Sequence, residues 1–80
     1  MILKPIITEK AVMLIEKENT ITFEVERTKS KTDIKQDVEK MFNVKIEKIR
    51  TMIKVGNKYA QIKLKKEFPA MDLATKLGVI

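Results

Sequence analysis

The chain contains no cysteine. That excludes a disulfide framework, a thiol nucleophile and every thiolate metal site. It contains no histidine either, so the commonest general base and the commonest metal ligand are both missing. Neither a metal site nor a cofactor is expected. Catalysis would have to run on carboxylates, lysines, serine or tyrosine. A two-carboxylate enzyme also needs a pocket, and 80 residues offer little depth for one. There is no glycine-rich phosphate loop, Walker pattern or dinucleotide fingerprint. Only four residues are aromatic, and none falls in the aromatic-rich strand of an RNA-recognition motif. No apolar run approaches the roughly 20 residues of a membrane span. The opening residues 1–7 are too short for a signal peptide. The expected location is cytoplasmic.

What is present is charge, unevenly placed. The net charge is +6. Residues 1–40 hold eight basic and eight acidic side chains, while residues 41–80 hold nine basic against Glu47, Glu67 and Asp72. Between 48 and 66 there are seven basic residues and no acid. A concentration of this kind points to a polyanion partner. The competing view is a merely solubilising surface.

Length sets one domain, 1–80, with one modest core. A chain this short buries only about 60% of its unfolded surface, so stability to spare is scarce. The apolar fraction of 44% is ordinary for a folded protein.

The pattern along the chain is helix and strand in turn. Residues 2–4 read as a short edge strand ended by Pro5. Thr8 is an N-cap signal, with Glu9 in the first turn of a helix running to about residue 17. That helix would bury some of Ala11, Val12, Leu14 and Ile15, and Glu18-Asn19 closes it. Residues 20–26 alternate strictly, with Ile21, Phe23 and Val25 facing a core and Thr20, Thr22, Glu24 and Glu26 facing away. Ser30 and Asp33 fit a capping box. Ile34, Val38, Met41 and Phe42 then form one face of a second helix, ended at Asn43.

A long strand follows over 44–55. Val44 and Ile46 face inward, and then Ile49, Thr51, Ile53 and Val55 share a face, so a bulge near Glu47 is needed. Gly56-Asn57 reads as a two-residue hairpin loop that sets Val55 opposite Lys58. The core pairs become Ile53 with Ala60, Thr51 with Ile62 and Ile49 with Leu64. The alternate pairs are Lys54 with Tyr59, Met52 with Gln61, Arg50 with Lys63 and Lys48 with Lys65. A short helix over 70–77 closes the chain, with Gly78 as its stop and Val79 and Ile80 beyond it. The class is α+β, a mostly antiparallel four-stranded sheet in the order β-α-β-α-β-β with a C-terminal helix, ferredoxin-like.

Like charges opposed across a hairpin are destabilising unless an anion lies across them. Phosphates supply one, and each contact releases counterions. Tyr59, on the same face, can stack on a base or bond a ribose hydroxyl; otherwise it only covers a lysine stem. Glu24 and Glu26 are candidates to neutralise some of the lysines within the sheet. Arg27, Lys29, Lys31 and Lys35 form a second cluster at the entry to the second helix, where lysine opposes the helix dipole and a phosphate would be welcome.

Several motifs resemble the large-subunit ribosomal protein twenty-three family. Pro5-Ile6-Ile7-Thr8-Glu9-Lys10-Ala11 is similar to its Pro-x-x-Thr/Ser-Glu-Lys opening. Asn19-Thr20-Ile21-Thr22-Phe23-Glu24-Val25 resembles its Asn-x-x-x-Phe-x-Val strand. Lys31-Thr32-Asp33-Ile34-Lys35, then Val38-Glu39 and Phe42-Asn43-Val44-Lys45-Ile46, resemble its second helix and following strand. Arg50-Thr51 stands where the family usually has Asn-Thr. Ala60-Gln61-Ile62-Lys63-Leu64 resembles its final strand. Gln61 replaces a usually apolar residue and Tyr59 a usually basic one. The tight turn in place of the long bacterial loop resembles the compact archaeal form.

The resemblance implies a non-enzymatic constituent of the large ribosomal subunit. It would bind large-subunit rRNA near the polypeptide exit tunnel, beside neighbouring ribosomal proteins. It would also help dock nascent-chain factors such as signal recognition particle, with Glu9 as the docking residue. The residues expected at RNA are Lys10, Lys29, Lys31, Lys35, Lys48, Arg50, Lys54, Lys58, Tyr59, Lys63 and Lys65. The alternatives are a free RNA-binding regulator outside the ribosome and a small phosphate-handling enzyme using Arg50 or Lys54 as anion holder.

Overall fold

The computed structural model describes residues 4–78. The elements are β1 (Lys4–Pro5), α1 (Glu9–Glu18), β2 (Thr20–Val25), α2 (Lys31–Phe42), β3 (Ile46–Lys54), β4 (Asn57–Leu64) and α3 (Ala70–Lys76). Class and chain order agree with the sequence expectation. The sheet order, which the sequence left open, is β1-β2-β4-β3, and every pairing is antiparallel. The expected strand residues Ile2 and Leu3, and the apolar pair Val79 and Ile80, lie outside the described residues.

The helix ends follow local chemistry. Thr8 accepts from the Ala11 amide at 3.1 Å, which starts α1. Ser30 and Asp33 bond each other's backbone amides at 3.2 Å in a reciprocal capping box. Asn19 and Asn43 end α1 and α2 in the left-handed region, at φ 52° and 55°. A carboxylate oxygen of Glu39 accepts from the Ile46 amide at 2.9 Å, which ties α2 to the start of β3.

The core lies on one face of the sheet. Ile21, Phe23, Ile62, Leu64 and Ala60 meet Ile34 and Val38 of α2 and Leu73 and Ala74 of α3. Phe23 stacks on Phe42 with ring centroids 6.2 Å apart. Three apolar expectations fail. Met41 is 55% exposed because the next residue, Phe42, fills the place against Phe23 and turns Met41 off the core-facing stripe of α2. Ile53 (59% exposed) and Val55 (fully exposed) lie toward the hairpin tip, beyond the reach of the helices. Conversely, Thr20 and Thr22 are buried rather than solvent-facing. Leu14 of α1 approaches that side of β2, so this strand is covered on both faces at its start.

The hairpin register also corrects the sequence reading. The loop residues are Val55 and Gly56, not Gly56 and Asn57, and both have positive φ, 51° and 80°. This is a primed turn, whose twist matches that of the strands. Ile53 therefore faces Lys58, Thr51 faces Ala60, and Ile49 faces Ile62. Met52 faces Tyr59, Arg50 faces Gln61, and Lys48 faces Lys63. The partner of each β3 residue has moved by two positions. Side chains repeat every two residues, so each residue keeps its face while losing its expected neighbour. The expected bulge is present, as a register shift between Ile46 and Lys48 with Glu47 left over.

One polar side chain ties the end of α1 to the end of β4, the turn after it and the start of α3. The Asn19 amide nitrogen donates to the carbonyls of Leu64 (3.0 Å), Lys65 (3.4 Å) and Phe68 (3.2 Å). Its oxygen accepts from the Ala70 amide at 2.6 Å, supplying the cap that Pro69 cannot give α3. Its backbone carbonyl accepts from the Leu64 amide at 3.1 Å. Replacing Asn19 by Gly keeps the left-handed backbone but removes the amide. The expected loss is about 2–3 kcal/mol, read as a melting midpoint lower by about 10–20 °C. Val55→Asn should do the reverse. A β-branched residue at positive φ is strained, and relief of about 1 kcal/mol would raise the midpoint by about 4–8 °C.

Candidate nucleic-acid interface

The face of the sheet away from α2 and α3 carries the basic residues in rows set by the register. Thr20, Lys63 and Lys48 form one row, Thr22, Gln61 and Arg50 the next, and Glu24, Tyr59 and Met52 the third. Lys54 follows, opposite Asn57 at the hairpin end, and Lys4 extends the third row from β1, opposite Glu24. Opposed side chains in such rows lie about 4.5–5.5 Å apart at Cβ. The expected like-charge pairs, Arg50 with Lys63 and Lys48 with Lys65, do not form. The two-residue shift leaves one such pair, Lys48 opposite Lys63, and gives Arg50 a neutral neighbour.

An acid not foreseen as a partner enters this face. The bulge residue Glu47 places a carboxylate oxygen 3.5 Å from Lys63 Nζ. Both side chains are well exposed, at 54% and 42%, so the pair is screened and contributes little to stability. Its effect is on the charge field, since it offsets part of the Lys48–Lys63 repulsion.

Lys31 and Lys35, exposed in the first turns of α2, share a groove with Lys48 and Glu47. Lys48 also lines the groove that holds Arg50 and Lys63. The two basic clusters of the sequence are thus joined through Lys48, and they lie on both sides of β3, an edge strand of the sheet. Lysines on an edge strand also discourage strand addition by another chain.

The other expected residues fall in different places. Lys58 stands on the helix side of the sheet, opposite Val25 and Ile53. Its ammonium donates to the Lys29 carbonyl, so these two residues fasten the hairpin to the loop before α2. The positive charges of Lys29 and Lys58 help hold the Asp33 carboxyl below its ordinary value, after the larger effect of the Ser30 backbone and hydroxyl hydrogen bonds. Lys65 is exposed just beyond β4, with its amide bonded to the Lys45 carbonyl at 3.0 Å. Lys10 lies on α1, beside Lys54 and Tyr59. Tyr59 is half-buried and opposite Met52, one row in from the position expected for it. Glu9 is exposed at the start of α1, next to Ile7, which is 62% exposed.

The model of the family described as ribosomal protein L23 matches residues 1–71 of the chain. The chain belongs to the ribosomal protein L23 family. A relative from Pyrobaculum aerophilum, named large ribosomal subunit protein uL23, is 51% identical over 81 residues, covering all of both chains. Membership makes this chain a ribosomal protein and not an enzyme.

Sequence reasoning placed Met52 and Gln61 on the basic face but left them out of the expected RNA contacts, and it did not foresee Glu47 as an ion partner of Lys63. Position alone assigns Met52 and Gln61 to the basic face, since they alternate with Arg50, Lys54 and Lys63. Glu47 carried a signal too, because a bulge turns its residue out of the ladder. Replacing Glu47 by Gln should release Lys63 and raise the salt concentration at which the protein leaves a heparin column. Elution at unchanged salt would show that the Glu47–Lys63 pair does not matter to the field.

Proposed function

We propose that this chain is a structural constituent of the large ribosomal subunit that binds large-subunit rRNA through the basic surface around β3. The observation that carries the reading is that surface. Lys48, Arg50, Lys54 and Lys63 lie on one side of an edge strand, and Lys31 and Lys35 on the other. Cations on both sides of an exposed edge suit a phosphate backbone running along it. Few aromatic side chains are available, so charge and shape dominate over stacking. The full-length likeness to a protein named for the large subunit supports the same assignment.

The finer reading follows from the family resemblance. The domain sits near the polypeptide exit tunnel, beside other ribosomal proteins. Glu9 and the exposed start of α1 face nascent-chain factors such as signal recognition particle. Lys58 acts by holding the hairpin in place for RNA, not by direct contact, because its ammonium is bonded to the Lys29 carbonyl, while the Lys29 ammonium takes no part in that bond and serves as a phosphate contact.

Affinity for large-subunit rRNA fragments should fall linearly in log–log form with salt. Lys48→Ala, Arg50→Ala and Lys63→Ala should each reduce that slope by about one, while Lys58→Ala should lower the melting midpoint more than the slope. Affinity that barely changes over a tenfold salt range would sink the phosphate mechanism. In sucrose gradients the protein should travel with large subunits in high salt. A free pool at the top would favour a regulator outside the ribosome.

A further inference from the structure

A groove opens on the basic face between α1 and the sheet, and the phosphate contacts leave it without a use. Ile6, Leu14, Thr22, Met52, Tyr59 and Gln61 line most of it. Its volume is about 160 Å³, below the roughly 300 Å³ at which drug-sized sites begin. There is room for a single ring system and little more. Among the described residues, the charged ones lining it are Lys10 and Lys54, with no acid.

Thr22 adds a second, independent observation. Its hydroxyl is buried with no hydrogen-bond partner among the described residues, and the residue is only 9% exposed. Buried polar groups are nearly always paired, and an orphan is a standing cost to the fold. Gln61 stands directly opposite Thr22 on β4, with an amide that both donates and accepts.

We propose that the groove takes one unstacked nucleobase from the bound RNA. The proposal rests on the rRNA-binding reading and names the subsite within it. A base is flat and apolar on its faces and polar at its edge. Met52, Leu14 and Tyr59 suit the faces, and Gln61 suits the edge. Thr22 reaches the edge by a change of side-chain rotamer. Lys10 and Lys54 stand where the flanking phosphates of that nucleotide would pass. An apolar protein side chain could fill the same volume, but it would use neither lysine nor the Thr22 hydroxyl.

Tyr59 is the only tyrosine and there is no tryptophan, so intrinsic fluorescence reports on this groove. The full chain is titrated with a short single-stranded RNA of mixed sequence and with the same oligomer made abasic. The intact RNA should quench Tyr59 and bind at least about fivefold tighter than the abasic one. Thr22→Val should weaken the intact RNA about three- to tenfold and leave the abasic RNA unchanged. The same variant should melt no lower than the parent, because it removes an unpaired hydroxyl; a purely structural threonine would alter melting alone. Equal affinity and equal quenching by the two RNAs would overturn the groove while leaving RNA binding intact. Failure of both to bind at low salt would overturn RNA binding and the groove together.

Discussion

The fold hangs on the side chain of Asn19. Two amide hydrogens are shared among three carbonyls, and the amide oxygen caps a helix whose own N-cap residue, Pro69, has no side chain able to do so. These bonds join the end of α1, the end of β4, the turn at 65–69 and the start of α3. A short chain with one small core has few other ways to fix a third helix. The asparagine is also the left-handed residue that ends α1. One residue therefore satisfies the backbone at a helix end and at the far end of the sheet. Its backbone conformation aims the amide, and the amide in turn holds the backbone there.

The hairpin shows how a face can be robust when a pairing is not. Reading Gly56-Asn57 as the loop gave neighbours two positions away from the true ones. The error was invisible to the hydrophobic pattern, because a two-residue shift returns every side chain to the same side. The true loop puts Val55 at positive φ, which few would assign to a β-branched residue. What decides for it is the ladder beyond the loop. With this register Ile49 faces Ile62, and Ile46, past the bulge, faces Leu64. Burying those pairs outweighs about 1–2 kcal/mol of strain at the tip.

The same register shapes the basic surface. It reduces the opposed cations to one pair, Lys48 and Lys63, and the bulge at Glu47 brings an acid to that pair. The free protein can thus carry its charge on a small fold without two stacked repulsions. The surface stays positive along the outer strand, with α2 adding lysines on the other side. A partner phosphate would compete with Glu47 for Lys63, so the exposed ion pair holds the lysine only loosely.

The sequence by itself determined the element order, the two capping signals at Thr8 and Ser30, the bulge, and which hairpin residues share a face. These are local properties, read from spacing and from residues within a few positions of each other. It also carried the motifs that resemble the ribosomal family. Only the tertiary structure decided the sheet order, the true hairpin partners, the burial of Thr20 and Thr22, and the exposure of Met41 and Ile53. It alone revealed that Lys58 is bound to Lys29 and that Lys31 and Lys35 meet Lys48. Each of these depends on contacts between residues far apart in the chain, where an element ends relative to its neighbour matters more than its own pattern. Asn19 belongs to both lists: its helix-ending role was legible from its neighbours, but its hold on residues 64–70 exists only once the chain has closed around it.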